Sequence, residues 1–236
     1  MKSLVFDTGP IITLTMNNML WLLEPLEKRF SGDFFITQQV KKELIDKPLS
    51  TKRFKFEALQ VLQHVSRGVI KVIDEPAVTD KANELLNLAN SCFRAKKHNI
   101  KIVHLGEMET VALALHKGSE AIVVDERTTR YLVEKPEKIQ EYMGSKMHTQ
   151  VSVNHDNLKQ LKKQLNPLKV IRSVELITLA YELGLLDLFT TERENELLPN
   201  LKETLLESVL WGAKLKGCAI SSDEIDTIMQ LEKPQT

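Results

Sequence analysis

Hydrophobic positions change their period several times along this chain. Short apolar runs occur at Ser3-Leu4-Val5-Phe6, Phe34-Phe35-Ile36, Val69-Ile70-Lys71-Val72-Ile73, Ala121-Ile122-Val123-Val124 and Leu168-Lys169-Val170-Ile171. Three of them are continuous rather than alternating, as in strands covered on both faces. Between them, apolar residues recur at helical spacing. The stretch 10–30 carries Ile11, Ile12, Leu14, Leu20, Leu22, Leu23, Leu26 and Phe30, with a break at Asn17-Asn18. Further helices are predicted over 38–45 (capped by Thr37), 51–66, 79–98 (capped by Thr79 or Asp80), 107–117, 126–134, 155–165, 174–183, 196–216 and 222–231. Residues 146–153 alternate weakly and predict an added strand. Strands alternating with helices make an α/β fold with a parallel sheet, whose ligand sites lie at the carboxyl ends of the strands.

The candidate chemistry follows from that geometry. Two strands end in an acid, Phe6-Asp7 and Val124-Asp125, and Glu126 follows the second. Glu43 lies on the helix after the second strand, and Glu107 opens the helix before the fourth, with Glu109 two residues on. Carboxylates gathered at one edge repel one another and partly protonate unless a cation sits among them. Oxygen-only donors select Mg²⁺ or Mn²⁺, and such ions activate water in phosphodiester cleavage. Each acid also has a plain structural reading. Asp7 and Asp125 could cap the helices that follow them, Glu43 sits among lysines on a solvated face, and Glu107 and Glu109 suit a helix N-terminus.

Four segments, in order, resemble the PIN-domain family of metal-dependent ribonucleases. They are Leu4-Val5-Phe6-Asp7-Thr8-Gly9-Pro10-Ile11-Ile12, Val40-Lys41-Lys42-Glu43-Leu44, Gly106-Glu107-Met108-Glu109-Thr110-Val111-Ala112-Leu113-Ala114-Leu115 and Ala121-Ile122-Val123-Val124-Asp125-Glu126-Arg127-Thr128-Thr129-Arg130. The resemblance implies a three-layer α/β PIN-like fold with a central parallel sheet. It implies Mg²⁺ or Mn²⁺ held by Asp7, Glu43, Glu107 and a fourth acid, Asp125 or its neighbour Glu126, with Asp125 preferred because it ends the strand. Glu109 is a further metal-site candidate. Thr8, Arg127, Arg94, Lys96 and Lys97 are candidate substrate contacts, and single-stranded RNA is the implied substrate.

The small toxin members are about half as long as this chain. The surplus, helix 79–98, the stretch 144–167 and the part after 192, divides it into a PIN-like domain over 1–191 and a helical C-terminal extension over 192–236. An antitoxin-like protein partner or a second copy of the chain is the implied protein contact. The alternative function is a regulatory or nucleic-acid-binding module that keeps the fold without cutting.

Charge changes this picture in one respect. The chain has 32 Lys and Arg against 32 Asp and Glu, a formal net charge of zero, so it is no generally basic nucleic-acid binder. Cations do cluster locally: Arg94, Lys96, Lys97, His98 and Lys101; Lys47, Lys52, Arg53 and Lys55; and Lys159, Lys162 and Lys163. Phe54 and Phe56 interleave with the second cluster. Their helical spacing suits core positions first, and base stacking is the alternative. Only two cysteines occur, Cys92 and Cys218, with no CxxC pair, and no signal-like N-terminus or membrane-length apolar run is seen. A reducing, cytoplasmic setting is expected. No Walker A, GxSxG or GxGxxG pattern occurs.

Overall fold

A computed structural model describes residues 2–198 and 200–232. The chain runs from β1 (Ser3–Phe6) into α1 (Thr8–Met16), through a 3₁₀ turn at Leu20–Leu22 to α2 (Leu23–Phe30), and on to β2 (Asp33–Thr37). Then follow α3 (Gln38–Lys41), a π-helical turn at Lys42–Asp46, α4 (Lys47–Leu49), α5 (Lys55–Ser66), β3 (Ile70–Ile73) and α6 (Pro76–Asn90). A hairpin of β4 (Phe93–Ala95) and β5 (His98–Asn99) leads to α7 (Leu105–Lys117), β6 (Ala121–Val123), α8 (Arg127–Glu134) and α9 (Lys138–Met147). The chain continues with β7 (Val151–Val153), α10 (His155–Leu165), β8 (Val170–Ile171), α11 (Ser173–Glu182), α12 (Glu192–Leu197), α13 (Leu201–Leu215) and α14 (Ser222–Leu231).

Five strands form one sheet in the order β3-β2-β1-β6-β8, with every neighbouring pair parallel. The continuous apolar runs divide between its two faces by alternation. Leu4, Phe6, Phe34, Ile36, Ala121 and Val123 enter one core with α1, α2, α11, α13 and α14. Val5, Phe35, Ile122 and Val124 enter the other with α6, α7 and α10. Both faces are covered, as the unbroken runs required, and the fold is the three-layer α/β arrangement expected. Successive strands run outward from β1 through β2 to β3, and the chain then crosses back to β6 on the other side of β1. The strand order therefore reverses between β1 and β6, and the crevice at their carboxyl ends is where ligands bind in such sheets.

The turn before β2 requires glycine for a steric reason. A Cβ on Gly32 would run into the Lys2 carbonyl oxygen, which accepts the Asp33 amide at 3.0 Å. The C-terminal helices share the first core through Leu206, Leu210, Ala213 and Ile225. They close tightly at Gly212, where a Cβ would stand 2.5 Å from Asn17 Oδ1.

Three helix expectations need correction. The helix expected over 79–98 begins at Pro76, a residue suited to a first helical turn, and stops at Asn90. Beyond it the chain alternates, with Phe93 and Ala95 buried and Arg94 exposed, and pairs with β7 in a second, three-stranded antiparallel sheet β5-β4-β7. That partner lies far along the chain, so local spacing could not announce it. Helix 51–66 begins only at Lys55, because Phe54 adopts a left-handed backbone, φ 62°. Helix 196–216 is two helices, 192–197 and 201–215, with Asn200 left-handed between them. Among the described residues, no helix is long and apolar enough to cross a membrane. Cys92 and Cys218 are buried and unpaired.

Candidate metal centre

Four acids converge on the crevice at the carboxyl ends of β1 and β6. Asp7 follows β1 directly and continues its ladder, its amide donating to the Val123 carbonyl at 3.0 Å. The backbone of Asp7 is still extended, with φ −79° and ψ 169°, so it stands at the N-cap position of α1. Glu43 arrives from the π turn after α3. A π turn inserts one residue into a helix and redirects the side chains around it. Glu107 lies in the first turn of α7, and Glu126 is the N-cap of α8.

Their charges act on one another. The Asp7 carboxyl is raised to about 7, chiefly by burial; the charges of Glu107 and Glu43 add to the rise, and the amides of Thr8 and Gly9 oppose it. Burial also raises Glu107 to about 6, with Glu126 and Glu43 adding to the rise against a hydrogen bond from the His104 amide. Gly106, in the first turn of α7, lies close to the Glu43 carboxylate: a Cβ built there would meet Glu43 Oε1 at an ordinary contact distance of 3.5 Å.

Hydrogen bonds aim each glutamate. Thr8 Oγ1 donates to Glu43 Oε2 at 2.7 Å, and Gln39 Nε2 donates to Glu43 Oε1 at 2.9 Å. The His104 amide donates to Glu107 Oε2 at 2.5 Å, and the Thr129 amide to Glu126 Oε2 at 2.7 Å. Gln39 was not foreseen, although it stands one helical turn before Glu43 and that spacing was available. Glu109, two residues after Glu107 on α7, also feels Glu43. Its carboxyl is raised by burial, with Lys42 and Thr37 opposing and Asp74 and Glu43 adding to the rise.

Asp125, preferred from the sequence as the fourth ligand, is turned inward. It is only 3% exposed. Its Oδ2 accepts from Thr13 Oγ1 at 2.7 Å and from Ser173 Oγ at 2.8 Å, and its Oδ1 accepts from the Ser173 amide at 2.8 Å. Its backbone carbonyl accepts the Ala219 amide at 3.0 Å. Asp125 thus ties the end of β6 to α1, α11 and the C-terminal segment. Burial, followed by the charge of Asp125, pushes the nearby Cys218 thiol up to about 12, so it stays protonated. The acid that acts on Glu107 is the next residue, Glu126.

The candidate substrate contacts separate into two groups. Thr8 holds Glu43, and Arg127 opens α8 beside Glu126, its guanidinium 5.9 Å from the Tyr142 ring centre. Arg94, Lys96 and Lys97 lie instead on the β4–β5 hairpin, where Lys96 and Lys97 form the turn with φ 48° and 71°.

Among the described residues, no three His, Cys, Asp or Glu side chains are gathered tightly enough to hold a metal ion as they stand. By chemistry the donor set still fits a hard cation. It is made only of carboxylates, and the charges that raise Asp7 and Glu107 are other carboxylates.

The family model described as PIN domain matches residues 3–139. The chain belongs to the PIN-domain family. No curated protein and no solved structure is significantly similar to it. The match spans β1, the π turn, the start of α7 and the end of β6, and so includes all four converging acids. PIN domains are generally nucleases and typically use divalent metals.

Proposed function

We propose that this PIN-domain protein hydrolyses phosphodiester bonds in single-stranded RNA, with Asp7, Glu43, Glu107 and Glu126 holding Mg²⁺ or Mn²⁺. The convergence of these four acids at the point where the strand order reverses carries the reading. When bound, the ion supplies activation of water and neutralisation of charge on the phosphate. The protein's part is to gather the carboxylates and aim them; because burial raises Asp7 and Glu107, the ion would also favour their ionised forms. Thr8 and Gln39 fix the Glu43 carboxylate, the His104 amide just before α7 fixes Glu107, and the Thr129 amide in the first turn of α8 fixes Glu126. Arg127, next to Glu126 in the chain, is the cation assigned to a phosphate in this reading, and Asp125 ties β6 to α1 and α11 behind the centre.

The test is cleavage of an unstructured RNA in Mn²⁺ and in EDTA. Cleavage in Mn²⁺ that is lost in EDTA and in Asp7→Asn is expected. An Asp7→Asn protein that cuts as fast as the parent rejects the assignment. A second reading, a binding module that does not cut, draws on one observation: both Glu43 oxygens and one oxygen each of Glu107 and Glu126 already accept hydrogen bonds. RNA bound in EDTA and never cut in Mn²⁺ selects that reading.

A further inference from the structure

Helical spacing suggested that Phe54 and Phe56 are core residues, but they are 55% and 70% exposed. They belong to a fully exposed run, Lys52-Arg53-Phe54-Lys55-Phe56, that enters α5. Phe54 holds a left-handed backbone, φ 62° and ψ 22°, which is rare and costly for a bulky side chain. Two exposed aromatic rings also forgo the free energy that burial would supply. Neither ring enters either hydrophobic core.

Through Phe54 the run borders an apolar groove of about 150 Å³ between α1, the π turn and α5. Ile12, Met16, Leu44, Pro48, Phe54 and Val61 line it. Glu43 and Glu57 stand on its wall, and Glu43 is also one of the four converging acids. The groove and the carboxylate centre therefore share a residue. Lys52, Arg53 and Lys55 make no ion pair among the described residues. The acids on the groove wall are Glu57 and Glu43, and Glu43 is held by Thr8 and Gln39.

We propose that this run and its groove form a nucleotide subsite beside the carboxylate centre. An unpaired base stacks on Phe54, with Phe56 offering a second ring, and the adjoining phosphates lie on Lys52, Arg53 and Lys55. The ligand class is single-stranded RNA, and its assignment rests on the nuclease reading above. Stacking on an aromatic ring accepts any base, and cations interleaved with rings track the backbone, so the subsite serves unpaired strands without strict sequence preference. A duplex, whose bases are already stacked, gains nothing from it.

The test uses the full chain and a fluorescein-labelled oligouridylate, with anisotropy read in EDTA so that nothing is cut. The double variant Phe54→Ala/Phe56→Ala is expected to bind at least about tenfold more weakly, from the ~1–3 kcal/mol that each stacked base contributes. Phe54→Tyr/Phe56→Tyr, which keeps the rings, retains the parent affinity. The triple variant Lys52→Gln/Arg53→Gln/Lys55→Gln flattens the salt dependence by about 0.7 for each phosphate that no longer meets a cation. In Mn²⁺ the loss in the alanine variant appears in KM rather than in kcat. If the alanine variant binds as tightly as the parent, or the tyrosine variant loses as much as the alanine one, the subsite is refuted even where the parent cuts RNA. If the variants show these binding losses yet the parent never cuts, the nuclease reading fails and the subsite stands. A parent that binds no oligonucleotide overturns the subsite.

Discussion

Thr8 Oγ1 donates a hydrogen bond to Glu43 Oε2 at 2.7 Å, so the first residue of α1 steers an acid carried by a different helical segment. A group that orients a ligand changes metal affinity without touching the metal, typically by about 10–100-fold. Thr8→Val keeps the shape of the side chain and removes the hydroxyl. Its Mn²⁺ affinity by titration calorimetry is expected to fall by that amount, while the melting temperature stays near the parent's. Unchanged affinity would show that the bond does not aim Glu43.

The raised acids fix the sign of a pH effect. Asp7 rises from 3.8 to about 7 and Glu107 from 4.5 to about 6 in the folded chain. Between roughly pH 4 and 7 the folded state therefore holds more protons than the unfolded one, and stability falls as pH rises. In EDTA the melting temperature should decline across this range. Mn²⁺ binds the ionised carboxylates, so it should raise the melting temperature most above pH 7 and little at pH 5. Asp7→Asn should be more stable than the parent at pH 8 in EDTA and should lose most of the Mn²⁺ gain. A melting temperature in EDTA that does not change from pH 5 to 8 contradicts the raised Asp7 and Glu107 carboxyls.

Adjacent acids with different surroundings should respond oppositely. Asp125→Ala strands the Thr13 and Ser173 hydroxyls and the Ser173 amide inside the fold, at a cost of about 3 kcal/mol. For a chain of this size that is a fall of roughly 6–12 °C in melting temperature. Glu126→Gln keeps the oxygen that caps α8 and should leave the melting temperature in EDTA almost unmoved. Its Mn²⁺ affinity and RNA cleavage should fall at least about tenfold. If Glu126→Gln binds Mn²⁺ normally, Glu126 is not the fourth ligand.

Gly212 gives a test of the C-terminal helices. Alanine is the better helix former by about 1 kcal/mol, yet a Cβ at this position stands 2.5 Å from Asn17 Oδ1. The Asn17 amide cannot simply swing away, because it donates to the Thr13 carbonyl at 2.7 Å. Gly212→Ala should therefore destabilise the protein by about 1–3 kcal/mol in thermal melts. Adding Asn17→Ala should restore part of that loss. A Gly212→Ala protein more stable than the parent would show that α13 has room to shift.

The sheet was legible in the sequence because its strands are short, apolar and bounded by turns. All five runs from 3–6 to 168–171 became strands of one parallel sheet. The hairpin at 93–99 was not legible. Its turn uses Lys96 and Lys97 at positive φ, where Asn-Gly would have marked it, and its outer partner is β7. At the candidate site, Asp7, Glu43 and Glu107 were singled out by their positions at a strand end and on two helices together with the resemblance to PIN domains, since element positions alone left each with a plain structural reading. The choice between Asp125 and Glu126 could not be made that way. It depends on which side chain meets Thr13 and Ser173, and those residues come together only in the folded chain. The exposure of Phe54 was hidden for a similar reason: helical spacing assumes that the helix has already begun, and it begins one residue later.

The π turn at Lys42–Asp46 has a consequence for how this centre could be gained or lost. It holds one residue more than the regular helical turn it replaces. Removing a single residue from it would restore an ordinary helix and rotate Glu43 away from Thr8, Asp7 and Glu107. The aim of that carboxylate is thus set by a residue count, so a three-nucleotide deletion could silence the centre while leaving every one of its acids in the sequence.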